Sequence, residues 1–423
     1  MRGSLPRPQI MSANIPSMLP EAESRAVPKV EHPARPTLCH FEQPVELNNL
    51  RDLWSEHESH PNNDLDYFLL IARMRKEVIA PFVIGLKTNG ISAASLAARI
   101  EHTRESFRLG YLPCGSVPVR KLTFVTNGII GHLTAETAQL ALQDLRASLT
   151  ARGLDFAVLH NLAIDSPLAA ALQTAVPAML RDHGARQREH WRMSLPETFD
   201  LFLARRKKKH RYWLNRLPRV LEKAYPGTVE TTVFEKGDIE QFCRDADAVG
   251  ALTYQRKLGA GFSDVGESRE YCRLLANRGA LRGYILYLEG KPAAYWMAST
   301  HRDVLFLHST GYDPQFRKYE VGTILFLSLI RDACGTVLRK IDFGLGTADY
   351  KERFGDEMWL EQDYYLFRNH PRGWLFNFLI SGGQFADRFA RALISQSGPI
   401  GRIKKWWRQR LVAAEPRAEA ETP

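Results

Sequence analysis

VLFLHSTGYDPQFRKYEVGTILFLSLIRDACG, residues 304–335, is the stretch whose reading decides the fold. It opens on an apolar run, VLFLHS (304–309), crosses the polar loop GYDPQFRKYE, and enters VGTILFLSLIRDA (321–333), which is apolar on nearly every face and stopped by Gly335. A short apolar run bounded by turn residues predicts a strand. A longer one closed by glycine predicts a buried helix.

Upstream lie GYILYL (283–288), a Glu289-Gly290-Lys291 turn and AAYWMAS (293–299), so residues 283–309 predict a three-stranded antiparallel meander. Downstream, RKIDFG (339–344) predicts another strand. The same order of three strands, helix and strand occurs earlier. PFVIGL (81–86), an Asn89-Gly90 hairpin signal, SAASLAARI (92–100), KLTFVTNGII (121–130), a helix near 135–152 and LDFAVLHN (154–161) supply it. The last two strands begin about 33 residues apart in the first copy and about 36 in the second, which indicates a structural duplication.

The copies differ at the strand-to-helix junction, GIIGHLTAE in the first and FRKYEVGT in the second. A helix that starts directly after a loop presents unpaired N–H groups and a partial positive charge, and so holds a pyrophosphate. Gly322 would admit the phosphates close to the backbone of Val321 and Gly322. Arg317 and Lys318 would attract them, and Thr323 offers a hydroxyl. Mere packing is the plain reading of one glycine at a helix start.

Between the copies runs ETFDLFLARRKKKHRYWLNRLPRVLEKA (197–224), a helical stretch that Pro218 is expected to kink or break. The domain boundary is placed near 190. The expected organisation is a disordered segment 1–38, a degenerate lobe 39–190, a loaded lobe 191–370, a basic amphipathic helical tail 371–412 and a disordered end 413–423.

The net charge of +10 resides in two runs, Arg205 to Arg211 and Arg402 to Arg410. Five cysteines, odd in number and without CxxC spacing, argue against a disulfide framework or a metal site, and buried free thiols are expected. Neither a signal-like opening nor a bilayer-length apolar run is found, so we expect an intracellular, cytoplasmic protein. The tail sequences WLFNFLISGGQFADRFARALI and IGRIKKWWRQRL interleave aromatic residues with cations. They suit either peripheral contact with the inner face of a membrane or packing on the body or on a partner subunit.

Lys318-Tyr-Glu-Val-Gly322-Thr-Ile resembles the phosphate loop Q/R-x-x-G-x-G/A of the GNAT acyltransferase superfamily, with Ile324 replacing the final small residue. ARRKKKHRYWLNRL, HSTGYDPQFRKYEVGTILFLSLI and IDFGLGTADYKERFG together resemble the CelD-like branch of that superfamily, relatives of the Fem peptidyltransferases. The resemblance implies an α+β protein of two tandem GNAT-like lobes, each a mainly antiparallel sheet flanked by helices. It also implies acyl transfer from acetyl-CoA or another acyl-CoA, without metal, to an amine or hydroxyl of a small-molecule, glycan or peptide acceptor. Cell-envelope or polysaccharide metabolism is the setting it suggests.

Such chemistry needs a deprotonated nucleophile, donors for the carbonyl oxygen and an acid for the leaving thiolate. On the family pattern, backbone N–H groups of 304–312 hold the oxygen. His308 is then the candidate base, Asp342 a polar group at the cleft, Tyr350 the candidate acid and Lys351 a phosphate contact or a solvated cation. Asp313 is expected to start a turn with Pro314. Two other functions compete: a Fem-like transferase using aminoacyl-tRNA, for which the Arg205–Arg211 run would contact RNA, and a noncatalytic binding protein on the same scaffold.

Overall fold

The computed structural model describes residues 36–396 other than 89–90, 110–111, 184, 254–255 and 257–260. The Asn89-Gly90 turn, nearly all of the 1–38 segment, and the sequence beyond 396, with the IGRIKKWWRQRL run and the 413–423 end, lie outside the described residues.

The strands are β1 (Thr37–Phe41), β2 (Val78–Thr88), β3 (Ile91–Leu109), β4 (Leu112–Gly131), β5 (Phe156–Ala163), β6 (Arg188–Ser194), β7 (Val229–Phe234), β8 (Leu281–Leu288), β9 (Lys291–His301), β10 (Val304–Tyr312), β11 (Lys340–Leu345) and β12 (Glu357–Phe367). They form a single sheet in the order 1-2-3-4-5-12-6-11-10-9-8-7. Two pairings are parallel, β4 with β5 and β10 with β11; the other pairings of these strands are antiparallel.

The order reads as two copies meeting head to head, β1 to β5 against β7 to β11. Their parallel registers agree: Lys121 faces Phe156, an offset of 156 − 121 = 35, and Val304 faces Lys340, an offset of 340 − 304 = 36. Each copy's last strand is exchanged. β6, which ends the first copy, pairs with β11, while β12, which ends the second, pairs with β5. Residue 190 therefore lies inside a central strand of a continuous sheet.

The helices are α1 (Pro44–Asn48), α2 (Arg51–His57), α3 (Leu65–Met74), α4 (Ala135–Ala151), α5 (Pro167–Ala175), α6 (Phe199–Ala204), α7 (Lys208–Ala224), α8 (Ile239–Leu252), α9 (Gly266–Asn277), α10 (Val321–Ala333), α11 (Asp349–Phe354) and α12 (Pro371–Gln396). α10 buries Val321, Ile324, Leu325, Phe326, Leu327, Leu329, Ile330 and Ala333, and Gly335 beyond it takes φ +78°, a conformation open to a residue without Cβ. With α10 packed on β9 and α8 on its other side, β9 reads as an unbroken buried run from Ala293 to Ser299.

One expectation is corrected. α7 continues through Pro218, and the chain breaks earlier, between α6 and α7. Pro218 faces solvent, while Leu214, Leu217 and Leu221 are buried on either side of it. Their packing outweighs the one backbone donor that proline lacks. Cys39, Cys243, Cys272 and Cys334 are free thiols, and no metal-ligand cluster occurs among the described residues.

Candidate active site

β10 is bonded to β11 only through Val304–Phe306 against Lys340–Asp342, yet its pairing with β9 continues to Tyr312. Beyond Phe306 the backbone groups of β10 that face β11 have no strand partner, so the sheet opens into a wedge. At its vertex β10 bulges. Leu307 faces Ala298 and Ser309 faces Met297, leaving His308 outside the ladder.

The wedge leads to the start of α10. Asp313 accepts a bond from Gln315 N (2.9 Å) and caps a 3-10 turn, Pro314–Tyr319, so the turn chemistry expected of Asp313 is present. Glu320 then takes a left-handed conformation (φ 56°, ψ 39°) that swings the chain into the helix. The N–H groups of Thr323 and Ile324 both turn back to Glu320 O (2.9 and 3.0 Å), which leaves those of Val321 and Gly322 as the open donors. A Cβ on Gly322 would meet the Tyr312 ring at 3.5 Å, ordinary contact. Arg317 and Lys318 are exposed beside this turn. Thr323 Oγ1 is occupied, donating to the Glu320 carboxylate (3.1 Å), and that carboxylate places a negative charge next to the open donors.

The first copy has the same wedge but a helix start capped by side chains. β4 pairs with β5 over Lys121–Phe124 against Phe156–Leu159 and then diverges. At α4, Thr134 Oγ1 accepts from Thr137 N (3.2 Å) and Thr137 Oγ1 accepts from Thr134 N (2.8 Å). These side chains form a reciprocal cap that α10 lacks, and no cation like Arg317 or Lys318 stands beside it in GIIGHLTAE. A cavity of about 180 Å³ in this wedge is lined by Ser59, Asn127, His160, Asn161 and Ser166 among apolar residues.

Polar groups converge on the second wedge. His308 Nε2 lies 2.7 Å from Ser299 Oγ, and its ring meets Tyr271 edge to face (5.6 Å). Burial pulls the His308 pKa down to about 4, so the ring is neutral at pH 7. His60, from the first copy, stands edge to face on Phe306 (4.7 Å). Its Nδ1 accepts from Asn62 N (3.0 Å), and since a backbone N–H can only donate, the ring proton sits on Nε2. Burial likewise holds this ring neutral, with a pKa of about 3.

Asp342 is buried on β11. It accepts from His190 Nε2 (2.7 Å), from Arg192 Nε and Nη2 (3.2 and 3.0 Å) and from Gly344 N (2.8 Å). His190 Nδ1 comes within 3.0 Å of Glu361 Oε1, and the ring stacks on Trp359 (4.2 Å). Burial opposes charge on His190, but the two carboxylates outweigh it and raise its pKa to about 9. Burial opposes ionisation of Asp342 as well, and the same partners hold its pKa below the usual carboxylate value. The cluster is a buried imidazolium between two carboxylates.

Tyr350 packs among Trp296, Phe326 and Phe343, and burial raises its pKa, so it keeps its proton. Lys351 differs from the expected phosphate contact or solvated cation. It is buried, its ammonium donates to Gly344 O (3.1 Å) and Leu345 O (2.7 Å), and burial lowers its pKa to about 8. It braces the loop after β11. The structure thus gathers Arg317, Lys318, Val321, Gly322 and Thr323 at the helix start and His308 and Asp342 at the vertex. It adds His60, His190, Arg192, Ser299, Tyr271 and Glu361, which the sequence reading missed. REHWRMS (188–194) gives no apolar alternation, although its alternate basic residues Arg188, His190 and Arg192 carry a period-two signal.

Residues 208–352 match the family profile of the acetyltransferase (GNAT) domain. Among solved structures, FemX is similar to this chain with a TM-score of 0.55 and 12% identity, over 81% of this chain and 100% of FemX. A tandem GNAT protein from the clavulanic acid biosynthesis pathway is similar with a TM-score of 0.43 and 12% identity, over 78% and 98% of the two chains. At 12% identity the likeness to FemX is one of fold. No curated protein matches the chain.

Proposed function

We propose that this protein transfers an acyl group from acetyl-CoA or a longer acyl-CoA to an amine or hydroxyl acceptor at the second wedge. The observation that carries the reading is the contrast between copies: two equivalent wedges, of which the first leads to a helix start capped by the Thr134 and Thr137 side chains and the second to one without a side-chain cap and with Arg317 and Lys318 exposed beside it. The pyrophosphate would lie on Val321 N and Gly322 N with Arg317 and Lys318 beside it, and the thioester would reach the vertex, where unpaired N–H groups of β10 face the carbonyl oxygen.

The acceptor's lone pair attacks the thioester carbon, the new C–N or C–O bond forms, and the C–S bond breaks. The acceptor's proton passes to His308, directly or through water, and the departing thiolate takes the Tyr350 proton, which the His308 imidazolium replaces through water, so that both side chains end as they began. Asp342 and Lys351 act as positioning residues, one fixing β6 on β11 and the other the loop that follows. The acceptor class fitted by the reading remains a small molecule, glycan or peptide.

A thermal-shift series with CoA, acetyl-CoA and longer acyl-CoA thioesters tests the reading. A rise in melting temperature that depends on acyl length supports it. No rise with any thioester, together with salt-sensitive binding of aminoacyl-tRNA, would replace it by the tRNA-dependent alternative.

A further inference from the structure

α12 is a surface helix that is apolar on its outer side as well as where it packs. Its inner side packs Phe376 and Asn377, both buried, against β12 and the Ala178–Leu180 turn, with Asn377 Nδ2 donating to Met179 O (2.9 Å). Its outer side should be polar by the ordinary rule. The residues that face solvent include Trp374, Leu375, Phe378, Gly382, Phe385 and Phe389, with Phe378 74%, Phe385 64% and Phe389 59% exposed. At 100° per residue these six fall within one stripe about 100° wide that holds no charge. From Trp374 to Phe389 the stripe runs about 22 Å along the helix. Arg372 and Arg388 are exposed on its two flanks.

We propose that this stripe docks on an anionic lipid surface, with α12 lying in the plane of the interface. Charge favours lipid over a second copy of the chain. Residues 371–412 carry eight Lys or Arg (372, 388, 391, 402, 404, 405, 408, 410) against one acidic residue, Asp387, a net of 8 − 1 = +7. Joining two such stripes would bring two sets of like charge together, whereas anionic headgroups neutralise them. The aromatic residues point the same way, since Trp and Phe seat at the boundary between headgroups and acyl chains, and Trp406-Trp407 follows within the basic run. No described helix is long and apolar enough to cross a membrane, which suits a helix that lies on the surface.

The test is flotation of the full chain with vesicles of phosphatidylcholine alone and of phosphatidylcholine mixed with phosphatidylglycerol. The protein is expected to float with the anionic vesicles, to do so at least about tenfold less with neutral ones, and to be released as salt rises. F378D/F385D/F389D, three substitutions at exposed positions, is expected to abolish flotation while the melting temperature stays at the wild-type value. R402E/K404E/K405E is expected to erase the preference for anionic lipid. Failure of the wild-type chain to float with anionic vesicles at low salt would overturn the proposal. So would a lipid-independent dimer, seen by light scattering, that the triple Phe variant dissociates.

Discussion

Asp342 is an acid between the apolar Ile341 and Phe343 of the strand KIDFGL, and its ionisation depends on what lies beside it. The sequence makes the residue visible, but its partner His190 is 152 positions away on a strand without apolar alternation. That distance is why the cluster was not legible. The pH dependence follows from the signs. A folded pKa near 9 against an ordinary 6.5 for His190 means that its ion pairs stabilise fully below about 6.5, and that this stability is lost as pH rises through 9. Asp342, with a depressed pKa, adds stability above its ordinary value that is lost in acid. Denaturant melts of the wild type should lose about 2–3 kcal/mol between neutral pH and pH 9, and His190→Gln should flatten that loss. An unchanged slope in the variant would refute the assignment. For His308, held neutral, His308→Ala should lower kcat by about 10²–10⁴ with little change in KM for the thioester. A fall confined to KM would instead make it a binding residue.

At the level of elements, the meander, α10 and β11 were legible because their apolar runs are short, dense and separated by turn residues. β6 and β7, REHWRMS and VETTVF, were not, since polar residues occupy five of the seven positions of the first and half of those of the second, and pairing partners supply what the pattern lacks. α7 shows the reverse error, where a local rule lost to tertiary packing on three leucines. Replacing Pro218 with Ala should restore a backbone donor within an existing helix and stabilise the chain by about 1–3 kcal/mol in urea melts. A loss of stability would show that the proline fits a bend the helix needs. The start of α10 carries a second consequence. Glu320 is a non-glycine residue at φ 56° whose carboxylate borders the open N–H groups, so Glu320→Gly should relieve about 1 kcal/mol of backbone strain and tighten acyl-CoA binding together. Gain in stability with weaker binding would mean that the carboxylate contacts the ligand favourably.

Across the whole molecule, the exchange of β6 and β12 binds the copies into one folding unit. Duplication could be read from the repeated order of elements, but the exchange could not, because neither exchanged strand has the apolar alternation that marks a strand. Fragments cut between β6 and α6 should each be insoluble alone and soluble when produced together, since separation strips β12 from β5 and β6 from β11. Independent solubility of both halves would contradict that picture. The contrast between the two helix starts is the central claim, and calorimetric titration of acetyl-CoA into the wild type and Gly322→Trp addresses it most directly. Wild-type binding with none in the variant, at equal melting temperatures, is the predicted result; equal affinity in both proteins would contradict the placement of the cofactor at α10.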